Sequence, residues 1–351
     1  MATEKPLVLV VGATGYTGHS IVNGLLDSGN FRVAALVRPA SVPKPAVEPL
    51  RGAGVDIRVG DISESVEKLK GILAGVDVLI SAIVGVSIIQ QKDIFYAAKG
   101  VGVKRVVPCH FATPGRKGVR ALHDEKLEIR DFIERLGVPH TYIDVGWWMQ
   151  LTLPLPSRSK VSAEFKAVLH QVNGTGTNRT LLTDSRHVGI YVARIVADPR
   201  TLNRAVIVWE DEVTELEVHQ LAERASGEAE AFRAQRVHVS RALACSGNKA
   251  VLTWSLVAAQ VSGEDILKFA ADARASVARG ESTFAALALV AMNEYMYTTH
   301  ILNENSLQNA KRLGYLDARE LYPDIPTYSL EEFAKEFYTL EEPGEPYFRL
   351  S

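Results

Sequence analysis

Cysteine is scarce in this chain. Only Cys109 and Cys245 occur in 351 residues, which excludes a disulfide framework and points to a reducing compartment. Long apolar runs are missing too. The longest, near 250–261 and 284–292, fall well short of the ~18–20 residues a membrane-spanning helix needs. The opening residues, Met1 to Pro6, are polar and lack the apolar core of an export signal. A cytoplasmic location is expected. Excess charge is absent, at a net −2, so neither nucleic acid nor an anionic membrane surface is an expected partner. No clustered Cys/His pattern suggests a metal. What remains is an ordinary globular composition, 47% apolar and 23% charged, long enough for one large or two modest units.

The stretch Leu7 to Gly18 organises the rest. Leu7–Val11 is an unbroken apolar run, as a strand buried on both faces should be. Gly12-Ala13-Thr14-Gly15-Tyr16-Thr17-Gly18 follows, and a helix begins near Tyr16 with Ile21, Val22, Leu25 and Leu26 on one face. A strand, a glycine turn and a helix N-terminus form an anion site, because free backbone N–H groups and the helix dipole face the charge. The spacing GxxGxxG differs from the GxGxxG fingerprint. Its strand-before, helix-after setting supports a dinucleotide pyrophosphate at Gly12, Thr14, Gly15, Tyr16, Thr17 and Gly18. The alternative is a tight structural turn.

The second strand, Val33–Val37, ends at Arg38-Pro39. A carboxylate here would hold an adenosine ribose and repel a 2′-phosphate. An arginine offers that phosphate a planar cation, so NADPH/NADP⁺ is the expected cofactor. Lys44 in the next loop is a second candidate cation. The third strand ends at Gly60-Asp61-Ile62, where Asp61 and Ile62 are placed beside the adenine. Asp61 is alternatively a helix cap. The fourth strand ends at Ser81-Ala82-Ile83, near the nicotinamide ribose. The fifth, Val103–Val107, leads into Pro108-Cys109-His110-Phe111. Strand C-termini collect ligands in open α/β sheets, so His110 and Phe111 belong at the reaction centre.

The helix at 120–136 carries an anomaly. Its apolar seam runs Leu122, Lys126, Ile129, Ile133, Leu136. A lysine inside such a seam is expensive to bury as a cation. Snorkelling is the bland explanation. On a helix that follows a site-forming strand, the functional reading is preferred, and Lys126 becomes the candidate proton donor or oxyanion partner. His110 is the rival donor. His123, followed by Asp124-Glu125, reads as a surface residue. No Tyr-x-x-x-Lys pair exists, which excludes the usual short-chain dehydrogenase arrangement. The sixth strand, His140–Val145, runs into Trp147-Trp148-Met149, placed either on a substrate pocket wall or in a core between lobes.

These patterns predict an α/β protein: a Rossmann-type doubly wound parallel sheet with a smaller, mostly helical C-terminal part. Residues 1–150 are expected to bind the nucleotide, with returning elements near 180–210. Residues 151–351 are expected to shape the substrate cleft, partly interleaved with the first unit. Helices are expected at 184–197, 214–225, 250–263, 264–279, 282–300 and 329–338.

The chain resembles the NmrA-like, isoflavone-reductase-like branch of the atypical short-chain dehydrogenases. The matching residues are Gly12 to Gly18, Val37-Arg38-Pro39, Gly60-Asp61, Val76 to Ser81, Lys104 to Pro108, Lys126 to Arg130, Gly137 to Thr141, and the tail Leu321-Tyr322-Pro323 with Tyr328 to Phe333. The resemblance implies NADPH at the glycine turn, its 2′-phosphate on Arg38, and Lys126 beside the nicotinamide. It implies reduction of a ketone or conjugated enone of a small biosynthetic intermediate, with C=O reduction favoured over C=C. Its other implication is an NADP(H)-sensing regulator without turnover, and a non-redox isomerase or cyclase using the same cleft is a third reading. Many relatives have Pro-Ser-Glu-Phe or Pro-Cys-Asp-Trp after the fifth strand. The histidine at 110 departs from that carboxylate and counts against the plant phenolic substrates. A homodimer is left open.

Overall fold

The computed structural model describes residues 4–233, 260–280 and 284–344. Cys245 and residues 250–259 of the expected 250–263 helix lie outside them.

Five strands form the main parallel sheet: β1 (Leu7–Val11), β2 (Arg32–Val37), β3 (Asp56–Val59), β4 (Val78–Ser81) and β5 (Arg105–Val107), in the order β3-β2-β1-β4-β5. Helices α1 (Tyr16–Asp27), α2 (Glu48–Gly52), α3 (Val66–Ile72), α4 (Lys92–Gly100) and α5 (Ala121–Leu136) fill the crossovers and the step into β6 (Thr141–Asp144). A parallel bridge between Val106 and His140 carries the sheet on to β6. β6 then pairs in parallel with the strand Arg204–Ile207, which pairs with Leu316–Asp317.

The period of two along β1 explains the two-sided core. Val8 and Val10 pack on the face that carries α1 and the helix Val188–Ala197. Leu7, Leu9 and Val11 pack on the face that carries α3, α4 and α5. Both faces are covered, as an all-parallel sheet requires. The order reverses between β1 and β4, and the crevice at that switch point is where ligands bind in such sheets.

Past β6 the chain leaves the sheet. Trp147–Trp148 pairs with Arg179–Thr183, which also pairs antiparallel with Asp211–Thr214. Helices Glu215–Ser226, Gly263–Ala278, Phe284–Met296 and Leu330–Phe337 surround a separate core containing Leu153, Leu182, Val218, Met296 and Phe337. Thr214, Ser262 and Ser329 each close a capping box on their helix, the arrangement that satisfies two orphan N–H groups at once.

Two boundaries differ from expectation, and α4 has a lead-in of its own. The 184–197 helix starts at Val188, because the Asp184 carboxylate is taken by Gln150 and Arg186 in a turn. The segment before α4 is a 3₁₀ helix over Gly85–Gln91, a common lead-in to an α-helix. Gln260–Val261, expected as helix, is a short strand beside Val172–Asn173.

Candidate functional site

A crevice of about 260 Å³ follows the switch point, lined by Gly12, Thr14, Gly15, Arg38, Asp61 and Ile62 among others. Gly12 sits at φ +81°, and a Cβ there would lie 2.3 Å from the Ala82 carbonyl oxygen. A Cβ at Gly18 would lie 2.1 Å from the Gly12 oxygen. Only glycine lets β1, β4 and the start of α1 approach this closely. The first turn of α1 holds no acidic residue, so no carboxylate opposes an anion at the positive end of its dipole. Arg38 follows β2 on the crevice wall and lowers the pKa of Asp61 across it, after the larger effect of the Asx turn that Asp61 makes with Ser63. Asp61 is not the cap of α3; Ser65 is. These residues fit a dinucleotide with a 2′-phosphate.

Ala82 and Ile83 also line a second cavity, of about 230 Å³. Thr17, His110, Phe111, Trp147 and Trp148 are on its wall, together with Lys126. Ser81 is buried one residue before that wall, with its hydroxyl unpartnered. Lys126 is 6% exposed, and its Nζ donates to the His110 carbonyl at 2.6 Å. Among the described residues it is the one Lys, Arg, Asp or Glu side chain on this wall. The rest is apolar or aromatic, apart from Thr17, the Cys109 thiol and His110.

The backbone after β5 is shaped to present that carbonyl. The His110 N–H folds back on Pro108 O at 2.8 Å, and Phe111 sits at φ +36°. A left-handed phenylalanine is strained and persists only where its surroundings hold it. The Phe111 N–H donates to Ile143 O at 2.9 Å, and its side chain is buried. Cys109 is tied down as well, its N–H to Gln91 Oε1 at 3.0 Å and its thiol to Ile83 O at 3.1 Å.

The His110 ring contributes differently from the expectation. It is 1% exposed. Arg130 Nη2 lies 2.8 Å from its Nδ1 and Nε lies 3.2 Å from its Nε2, while Asp144 Oδ1 is 3.7 Å from Nδ1. Burial and the Arg130 cation push its pKa down to about 3. The ring is neutral at physiological pH and holds no proton for ready release. The assignment of His110 as a proton donor is corrected: its carbonyl anchors Lys126, and its ring is part of a buried polar knot.

Asp144 is the centre of that knot. It accepts from Arg130 at 2.9 Å and from the Tyr315 hydroxyl at 2.5 Å. Burial alone would raise its pKa, but Arg130 and His110 hold it well below the usual carboxylate range. Arg130 stands one helical turn after Lys126 on the same apolar face, a signal available in the sequence. Tyr315 arrives from 171 positions away in the chain, and no local pattern announces it. Tyr295 and Leu151, on the cavity wall, were likewise not foreseen.

One further expectation is corrected, and three other residues are placed. His123 is buried, not on the surface. Its ring contacts the Gly115 carbonyl at 2.8 Å, and burial with Arg120 nearby pushes its pKa down to about 4. The 113–118 loop covers the first turn of α5, secured by Gly118 N–H on Asp124. Met149 is fully buried in the C-terminal core and lines neither cavity. Lys44 is exposed before a short 3₁₀ turn and does not line the crevice. Tyr16 is half exposed at the start of α1. Among the described residues, no cluster of His, Cys, Asp and Glu could hold a metal, and no helix is long and apolar enough to cross a membrane.

A doubly wound sheet, a glycine turn at its switch point and an adjoining apolar cavity define a Rossmann-type α/β protein of the nucleotide-binding class. The family model described as the NmrA-like family matches residues 4–243. The asnovolin J 5′,6′-dehydrogenase of Aspergillus novofumigatus is 35% identical over 339 residues, covering 95% of this chain and 96% of that protein. This chain belongs to the NmrA-like family. An isoflavone reductase homolog, P3, of Arabidopsis thaliana is 31% identical over 228 residues, 59% of this chain and 70% of its own. The leucoanthocyanidin reductase–NADPH complex from Vitis vinifera superposes with a TM-score of 0.71 at 21% identity, covering 95% of this chain and 100% of that one. At that identity the likeness speaks for the fold alone.

Proposed function

We propose that this protein is an NADPH-dependent oxidoreductase that reduces a ketone or conjugated enone of a small biosynthetic intermediate. One observation carries the reading: the buried Lys126 ammonium is fixed on a backbone carbonyl in the wall of an otherwise largely apolar cavity that adjoins the nucleotide crevice. Residues 12–18, Arg38, Asp61 and Ile62 are assigned to the dinucleotide. Much of the C-terminal part, from residue 151, is assigned to the substrate. When bound, the reduced nicotinamide supplies a hydride.

The chain's own residues supply the rest. Lys126 Nζ keeps one N–H on His110 O and has others for a substrate oxygen. It stabilises the negative charge that grows there and gives up the proton that completes the alcohol. Trp147, Trp148, Phe111 and Tyr295 exclude water and pack against an apolar substrate body. Arg130 and Asp144 hold the His110 segment in place.

The names of the relatives, a dehydrogenase and a reductase homolog, agree with this class of chemistry. The dehydrogenase name also favours a second reading, the same cleft working in the oxidising direction. The test is absorbance at the nicotinamide band with a panel of ketones and enones, and with NADP⁺ and the matching alcohols and saturated ketones. Steady cofactor turnover in either direction is expected. Tight NADPH binding without turnover across the panel would replace the enzyme by a nucleotide-sensing regulator.

A further inference from the structure

A smaller chamber lies beside the main cavity. Trp147 and Leu151 line both. The Trp147 indole N–H donates to Leu151 O at 3.1 Å, and its ring packs on Tyr295 at 5.0 Å between centroids. The chamber measures about 30 Å³. A water needs ~10–15 Å³ by that measure, so it holds about two or three water-sized groups.

Its lining has an unusual chemistry for so small a space. Glu215, His219 and His300 all reach it, and all three are buried. His300 Nε2 lies 3.4 Å from Glu215 Oε1. Glu215 accepts from the Asn173 N–H at 2.7 Å and the Asn173 amide at 2.6 Å. His219 Nε2 lies 3.0 Å from Gln171 O. His300 is carried on a π-helical turn, Tyr297–Ile301, an interruption frequent at functional sites. Three buried titratable groups in one chamber are costly to a fold, and the mechanism above uses none of them.

We propose that this chamber is a second subsite, in which Glu215, His219 and His300 take a hydroxyl or carbonyl oxygen at the far end of an elongated, mainly apolar substrate. The inference rests on the reading of the main cavity as the substrate cleft. Burial pushes the Glu215 pKa up to about 8 and, with His219 opposite, pushes His300 down to about 3. That pair is then largely uncharged at neutral pH. Among the described residues, no Lys or Arg lines the chamber, so none of them offers an anionic group a counter-charge there. Leu151, Val168, Val218 and Met296 supply apolar walls for the body that carries the oxygen.

The test uses paired probes: benzylacetone and its para-hydroxyl derivative, and the biphenyl homologues of each. With the wild-type protein and NADPH, one hydroxylated member is expected to show a KM about three- to tenfold below that of its deoxy partner, the yield of one or two neutral hydrogen bonds. His300→Phe and Glu215→Leu are expected to abolish the preference through KM rather than kcat. Glu215→Gln keeps a neutral donor and acceptor and is expected to keep the preference. A melting temperature within a few degrees of wild type qualifies each variant, and His300→Phe with Glu215→Gln decides the matter should Glu215→Leu not fold. If no probe turns over, the reductase reading is decided by the broader panel above, and the subsite is judged separately by quenching of tryptophan fluorescence with NADP⁺ present. Equal affinity for hydroxylated and deoxy partners at both lengths, or a preference that survives His300→Phe, overturns the proposal.

Discussion

Lys126→Met separates the two jobs a buried lysine can have. In the folded chain Nζ makes a 2.6 Å bond to the His110 carbonyl. A hydrogen bond with a charged partner contributes ~1.5–3 kcal/mol. Holding the ammonium out of water costs several kcal/mol before compensation. Methionine removes both terms at nearly constant volume. The net change in stability is expected to be on the order of 1 kcal/mol, a shift of no more than a few degrees in Tm.

Catalysis has no such offset. Proton delivery by a positioned side chain is worth ~10²–10⁴ in rate, or ~3–5 kcal/mol of barrier at ~1.36 kcal/mol per decade. Lys126→Met is therefore expected to bind NADPH within a few-fold of wild type and to lose at least a hundredfold in kcat. Lys126→Arg keeps the charge but not a releasable proton. A loss shared by both variants indicates proton transfer, and a loss confined to methionine indicates electrostatic stabilisation of the oxyanion. Turnover within threefold of wild type in folded Lys126→Met would refute the reasoning at its base.

Three other perturbations follow from the same structure. Arg38→Ala should weaken NADPH by about ten- to a hundredfold and leave NADH nearly unaffected, because one charge-assisted phosphate contact is lost; parallel fluorescence titrations of the two cofactors measure it. Gly12→Ala should abolish nucleotide binding and lower Tm by several degrees, since its Cβ would sit 2.3 Å from Ala82 O at a backbone angle of +81°; calorimetry with and without NADPH checks both. Stability should fall as pH drops below about 6.5. His110, His123 and His300 have folded-state pKa values of about 3, 4 and 3, so the unfolded chain binds more protons than the native one from ~6.5 downward. Glu215, raised to about 8, and Glu210, also raised by burial, act oppositely above ~4.5. His187, raised by its bond to Glu210, opposes above ~6.5. The net slope between ~4.5 and ~6.5 is then at most two protons, ~3 kcal/mol per pH unit, and urea midpoints across that range report its sign.

The sheet and its crevice were legible because their signals are local. An apolar pentapeptide, a glycine turn and a periodic helix are each written within a dozen residues. Lys126 was legible for the same reason, as a cation out of place in a 3.6-residue pattern. Arg130 has the same signature one turn later, but with Glu128, Asp131, Glu134 and Arg135 around it, it reads as surface. His123 was misread because its neighbours are charged. Its burial is decided by a loop that folds over the first turn of α5, and helical periodicity does not report loops. The ring of His110 was misjudged because Asp144, which faces it, and Tyr315, which donates to Asp144, come from a later strand and from the far end of the chain. Contacts of that span are set by strand order rather than by neighbouring residues.

The end of β5 shows why these distant partners matter to a lysine they do not touch. A buried ammonium needs an oxygen, and α5 runs past the sheet where regular strand carbonyls are committed to the ladder. Breaking the strand frees one. The turn back on Pro108 and the left-handed Phe111 expose the His110 carbonyl to Lys126, at a strain of ~1–3 kcal/mol for such a backbone. A kink of that kind relaxes unless both ends are held. Ile143 O holds one through the Phe111 N–H. Arg130 grips the His110 ring, and Asp144 and Tyr315 fix Arg130. Asp144 sits on β6, the strand joined to β5 by the single bridge at Val106. Where the ladder is interrupted, side chains supplement the remaining backbone bonds, Phe111 N–H to Ile143 O and Val145 N–H to Ala112 O, and the freed backbone oxygen is what Lys126 holds.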